Sequence, residues 1–101
     1  MPEAQFNDLI HAPSRLRICG LLRAVDSMDF SVLRDGLGLS DAALSKHLKT
    51  LADAGFIRLS KAASETRRDA RRLTWVGLTP AGRQAFDAHV RALQQIAAAA
   101  G

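Results

Sequence analysis

The sequence predicts a mainly α-helical domain carrying one small β-hairpin, and three observations predict it. Apolar residues recur at helical spacing through most of the chain. Alternation at period two is confined to 56–62 and 73–78, and the helix starts carry capping residues. At 101 residues, with 48% apolar and 24% charged residues, the chain has the length and composition of one folded domain spanning 1–101.

Phe6, Leu9 and Ile10 share a helical face and predict a short leading helix. Pro13 suits the first turn of a second helix, where a missing N–H leaves nothing unpaired, and Leu16, Cys19, Leu22 and Val25 form its stripe to about Asp26. Phe30 is expected in a short strand. Ser31 is the expected N-cap of a brief helix over Val32 to Leu37, closed by Gly36 and Gly38. The next helix, about Asp41 to Ala54, has Ser40 as N-cap, Asp41 at the positive end of its dipole, a Leu44, Leu48 and Leu51 seam, and Gly55 as its stop. Strands are expected over Phe56 to Ala62, with Ile57 and Leu59 on one face, and over Leu73 to Leu78. The connection between them is long and rich in arginine. Thr79 and Pro80 open a last helix striped by Phe86, Val90, Leu93 and Ile96, fraying near Ala98.

The formal net charge is +4, with a pI near 10.2. Arg58, Lys61, Arg67, Arg68, Arg71 and Arg72 against Glu65 and Asp69 place all of it within residues 58–72, since the other 86 residues hold 8 basic and 8 acidic side chains. Such a run is what an electrostatic footprint on a phosphate backbone looks like; a solvated basic hairpin is the plainer alternative.

Several classes are excluded. The lone Cys19 forms no internal disulfide, and no cysteine or histidine cluster has zinc spacing, so no metal or cofactor is expected. The start lacks the basic and apolar regions of a signal peptide and no run of about 18 apolar residues occurs, so no membrane association and a cytoplasmic location are expected. No phosphate loop, nucleophile elbow or paired-carboxylate signature points to an enzyme. His11, His47 and His89 fall on three different helices, while Asp87 and His89, two apart, point to different faces of one. Cys19, on an apolar stripe, reads as a small core residue rather than a thiol sensor.

A short helix, a glycine turn and a longer helix make a helix-turn-helix, followed here by a basic hairpin and a capped helix. Four stretches, 9–18, 39–48, 51–57 and 78–83, carry a resemblance to winged-helix transcriptional regulators of the MarR/ArsR type. The most telling are Leu39-Ser40 followed by Leu44-Ser45-Lys46-His47-Leu48, and Leu78-Thr79-Pro80-Ala81-Gly82-Arg83. The resemblance spans nearly the whole chain. It implies a homodimeric regulator, a repressor by preference, on a roughly palindromic operator in double-stranded DNA, often released by a small-molecule effector or chemical stress. MarR proteins are typically longer, so this chain has less room for a dedicated effector cavity.

With the leucine seam inward, Ala42, Ser45, Lys46, Lys49 and Thr50 face the groove. Ser40 at the helix start is a further candidate, and His47 beside the seam is either a contact or a packing residue. Arg67, Arg68, Arg71 and Arg72 are the expected phosphate or minor-groove contacts of the wing. Phe6, Leu9 and Ile10 with Phe86, Val90, Leu93 and Ile96 supply dimerisation elements at both termini. The competing function is a winged-helix module that binds protein or RNA, which has no need of charge gathered at a hairpin tip.

Overall fold

The computed structural model describes residues 3–63 and 72–100. The elements are α1 (Asp8–His11), α2 (Pro13–Arg23), β1 (Met28–Asp29), α3 (Phe30–Leu37), α4 (Asp41–Asp53), β2 (Ile57–Ala63), β3 (Arg72–Leu78) and α5 (Pro80–Ala100).

Local chemistry sets most boundaries. Asn7 Oδ1 accepts the N–H of Ile10 at 3.0 Å and starts α1, so the leading helix begins after Phe6 rather than at it. The α2 helix stops at Arg23, short of the expected Asp26, because Arg83 from α5 donates to the carbonyls of Arg23 and Val25 at 3.1 and 2.9 Å. Those carbonyls would otherwise serve a further turn. Asp29, not Ser31, caps α3: its Oδ1 accepts the Ser31 N–H at 2.7 Å and the Ser31 hydroxyl at 2.6 Å, which draws Phe30 into the helix and leaves the strand to Met28–Asp29. Gly38, at φ 66°, closes α3, and Gly55, at φ 82°, turns the chain out of α4.

The sheet has three antiparallel strands in the order β1-β3-β2: the expected hairpin joined by the short strand, which stands at Met28–Asp29 rather than at Phe30. The β2–β3 ladder runs from Ile57 opposite Leu78 to Ala63 opposite Arg72. Cross-strand partners share a face, so Ile57, Leu78, Leu59 and Val76 all point toward the helices. Ile57, Val76 and Leu78 are buried, whereas Leu59 is 48% exposed, because an open groove separates it from α4.

One core unites the helices and the sheet, with Ile18, Leu22, Leu33, Leu44, Leu51 and Val76 fully buried. Cys19 is buried in it, and burial pushes its thiol up to about 11. Ile10 is also fully buried within the single chain. Leu9 and Ile10 lie about 100° apart on a helix, so only one of them can turn outward, and Ile10 is withdrawn from any surface a second copy could touch.

The sequence Thr79-Pro80-Ala81-Gly82-Arg83 joins α4, β3 and α5. The Thr79 hydroxyl donates to the Gly55 carbonyl at 2.6 Å and accepts the Gly82 N–H at 3.0 Å, and the Thr79 N–H donates to the Phe56 carbonyl at 3.0 Å. A side chain at Gly82 would run into the Phe56 backbone.

Candidate nucleic-acid interface

The α4 helix presents its leucine seam inward and a polar face outward. Ala42, Ser45, Lys46 and Lys49 are exposed, while Thr50 is half-buried with its hydroxyl donating to the Lys46 carbonyl at 3.1 Å. The Ser40 hydroxyl oxygen accepts the Ala43 N–H at 3.1 Å and is occupied as the helix cap. Lys49 pairs with Asp53 at 3.0 Å across one turn, both ends exposed; such pairs contribute little to stability and exchange readily for a phosphate.

Arg34 on α3 forks to Asp35 at 2.9 Å and Asp41 at 2.8 Å, tying the first helix of the pair to the start of the second. Hydrogen bonding to Asp35, then to Asp41, raises its pKa further above the ordinary arginine value.

His47 lies on the flank of α4 facing α2. Arg15 donates through Nη1 to His47 Nδ1 at 3.4 Å and through Nε to the Leu9 carbonyl at 2.6 Å. Burial, then the charges of Arg15 and Lys46, lowers the His47 pKa and favours the neutral ring. On the opposite flank an open groove of about 470 Å³ separates α4 from the sheet, lined by Phe30, Leu48, Ala52 and Leu59 with Ser45, Lys49, Asp53 and Thr74.

Residues 64–71 connect β2 to β3 in the sequence, and the expected wing contacts Arg67, Arg68 and Arg71 among them lie outside the described residues. Arg72 is placed only as a backbone position in β3. Arg58, part of the basic run, is committed to the fold: it donates to the Leu78 carbonyl at 2.9 Å and the Asp26 carbonyl at 3.2 Å. Lys61 is exposed on β2.

At the other end of the molecule, residues 5–7 lie along α5. The Gln5 N–H donates to the Ala88 carbonyl at 3.0 Å, and the Asn7 N–H to His89 Nδ1 at 2.9 Å. His89 is fully buried, and Phe6 packs its ring 4.7 Å from both His11 and His89. His11 Nδ1 and His89 Nε2 are 3.3 Å apart, so two histidines that the helix assignment separates are neighbours in space. Because His89 Nδ1 accepts from a backbone amide, its proton sits on Nε2 and is donated to His11. That arrangement leaves no free Nε2 lone pair for a metal, and among the described residues no group of three potential ligands comes together. Asp87 points elsewhere, pairing with Arg23 at 2.9 Å. Of the other expected dimer residues, Phe6 and Ile96 are exposed, at 41% and 55%, and Leu9, Phe86, Val90 and Leu93 are at least partly buried.

The family of winged helix DNA-binding domains matches residues 14–97, from the start of α2 through most of α5. The chain belongs to that family. The winged helix is 30% identical over 91 residues to the uncharacterized protein MJ0432 of Methanocaldococcus jannaschii, covering 90% of each chain. Its fold is similar to that of a transcriptional regulator homologue from Pyrococcus horikoshii OT3, with a TM-score of 0.82, 22% identity and coverage of 90% of this chain and 86% of that one. A MarR-family regulator from Silicibacter pomeroyi shares the fold at a TM-score of 0.65 and 24% identity; 86% of this chain covers 55% of that longer one. Among the described residues no helix of this winged helix is long and apolar enough to cross a membrane.

Arg15, Arg34, Asn7 and His89 are absent from the set of site residues expected from sequence. Their partners lie across helices, and only the basic and polar residue types themselves hint at them.

Proposed function

We propose that the chain is a transcriptional regulator that binds double-stranded DNA as a homodimer, with α4 in the major groove and the basic wing, about 63–72, on the flanking backbone or in the minor groove. The observation that carries this reading is the outer face of α4: Ala42, Ser45, Lys46 and Lys49 stand exposed on a helix whose other side is locked into the core, and the net charge of the chain falls within residues 58–72, which follow that helix in the sequence. Two copies joined through α1 and α5 would set their α4 helices about 34 Å apart, matching half-sites one helical turn apart in a roughly palindromic operator. Where such an operator overlaps a promoter, its occupation blocks polymerase access, and in this reading the regulator acts as a repressor. No enzymatic step enters this reading.

The test is a duplex selected from a random-sequence pool, compared with a mixed-sequence duplex. Ser45→Ala or Lys49→Ala should weaken the selected duplex by about 1 to 3 kcal/mol and spare the mixed one. Failure to bind either duplex at low salt would instead favour a protein-binding module.

A further inference from the structure

The Arg15–His47 contact has a chemical direction. A guanidinium can only donate, so His47 Nδ1 must accept and the ring proton of the neutral side chain must reside on Nε2. Among the described residues that Nε2–H has no hydrogen-bond partner, and because no buried side-chain nitrogen or oxygen is left unpaired, Nε2 reaches solvent. Arg15 cannot swing freely, since its Nε is anchored on the Leu9 carbonyl at 2.6 Å and its side chain is half-buried. His47 is one residue from Lys46 and one turn from Thr50, on the flank of α4 next to its outer face.

We infer that Arg15 is a positioning residue that holds His47 as a neutral Nε2–H donor directed at a lone pair on DNA, a base-edge acceptor or a phosphate oxygen. This rests on the DNA-binding reading above, takes His47 as a contact rather than a packing residue, and adds Arg15, which acts only through His47. The donor is uncharged, so its bond releases no counterion and leaves the salt dependence of binding unchanged, unlike the contacts of Lys46 and Lys49.

Two measurements test this separately. Long-range proton–nitrogen NMR on the full chain reads the His47 tautomer without DNA. The Nε2–H form is expected in the wild type, with Nδ1–H appearing in Arg15→Ala; a wild-type ring protonated on Nδ1 overturns the assignment. Binding is then measured on the selected and mixed-sequence duplexes. His47→Ala and Arg15→Ala should each weaken binding to the selected duplex by roughly 3- to 10-fold at an unchanged salt slope, and the double variant should bind no more weakly than the worse single one. His47→Gln, which keeps an N–H donor, should restore most of the affinity, and this comparison stands even if Arg15→Ala fails to fold. Weakening confined to the selected duplex identifies a base edge as the acceptor, and equal weakening on both identifies a phosphate. Additive effects, or a slope lowered in Arg15→Ala, would show Arg15 contacting phosphate by itself and overturn its positioning role. Absence of binding to either duplex would defeat the DNA reading and the role of His47 with it, whereas the tautomer would still report on the pair.

Discussion

The backbone N–H of Asn7 points at Nδ1 of the fully buried His89, 2.9 Å away, and fastens the N-terminal segment to the final helix. The bond exists only while Nδ1 is unprotonated. Burial, then the neighbouring His11, lowers the His89 pKa, with Asp8 opposing, and burial likewise lowers that of His47. The unfolded chain, whose histidines titrate near 6.5, therefore takes up protons that the folded state refuses.

Stability should accordingly be full above about pH 6.5 and fall as the pH drops below it. Urea unfolding at pH 7.5 and pH 5 checks this. His89→Leu should be less stable than wild type at pH 7.5 by about 1 to 3 kcal/mol, since the Asn7 amide is left without its acceptor, and should show a shallower decline on acidification. An equally steep decline in His89→Leu would assign the pH dependence to other groups.

Two glycines should respond to alanine with opposite signs. Gly36, inside α3, has open space around it, so Gly36→Ala should stabilise by roughly 0.5 to 1 kcal/mol. Gly82 lies in α5 against the Phe56 backbone, which cannot move aside as a side chain would, so Gly82→Ala should destabilise despite the better helix former. Thermal melts of the two variants decide it; a stabilised Gly82→Ala would mean that α5 and Phe56 are not in close contact.

Thr79→Val removes the hydroxyl that serves both Gly55 and Gly82 while keeping the branched shape. A destabilisation of about 1 to 2 kcal/mol is expected, with Thr79→Ser close to wild type. Denaturant midpoints that rank serine with valine would remove the hydroxyl from the account.

What is legible in the sequence follows from how local each cause is. Ser40, Gly55 and Pro80, and Thr79 in its capping bond from the Gly82 N–H, act within a few residues of themselves, and the helices they bound stand at nearly the expected positions. Asp29 and Ser31 are both competent caps two residues apart, and spacing alone does not rank them. The end of α2 is set by Arg83, some 60 residues away, and β1 exists because β3 offers it a free edge. The pairs Arg15 with His47 and His11 with His89 are separated by 32 and 78 residues, so no local pattern announces them. Arg58 reads as part of a basic footprint in the sequence, where carbonyl partners 20 and 32 residues away leave no trace. Helical spacing places Ile10 on an apolar face without distinguishing the chain's own core from a partner.

Association through α5 should be sensitive to its exposed apolar end. Ile96 is 55% exposed and follows Leu93 by one turn, so replacing both with Asp should shift the sedimentation profile from dimer to monomer while leaving the core elements folded. A wild-type chain that sediments as a monomer at micromolar concentration would contradict the two-fold arrangement.

The most direct test of the central claim is fluorescence anisotropy of a mixed-sequence duplex at two salt concentrations, with wild type beside the variant carrying alanine at Arg67, Arg68, Arg71 and Arg72. The account predicts salt-sensitive binding by the wild type, weaker binding by the variant, and a salt slope reduced by about 0.9 for each phosphate that the variant no longer neutralises. Tight wild-type binding with an identical slope in the variant would contradict the placement of the wing on the DNA backbone, and no wild-type binding at low salt would contradict DNA recognition itself.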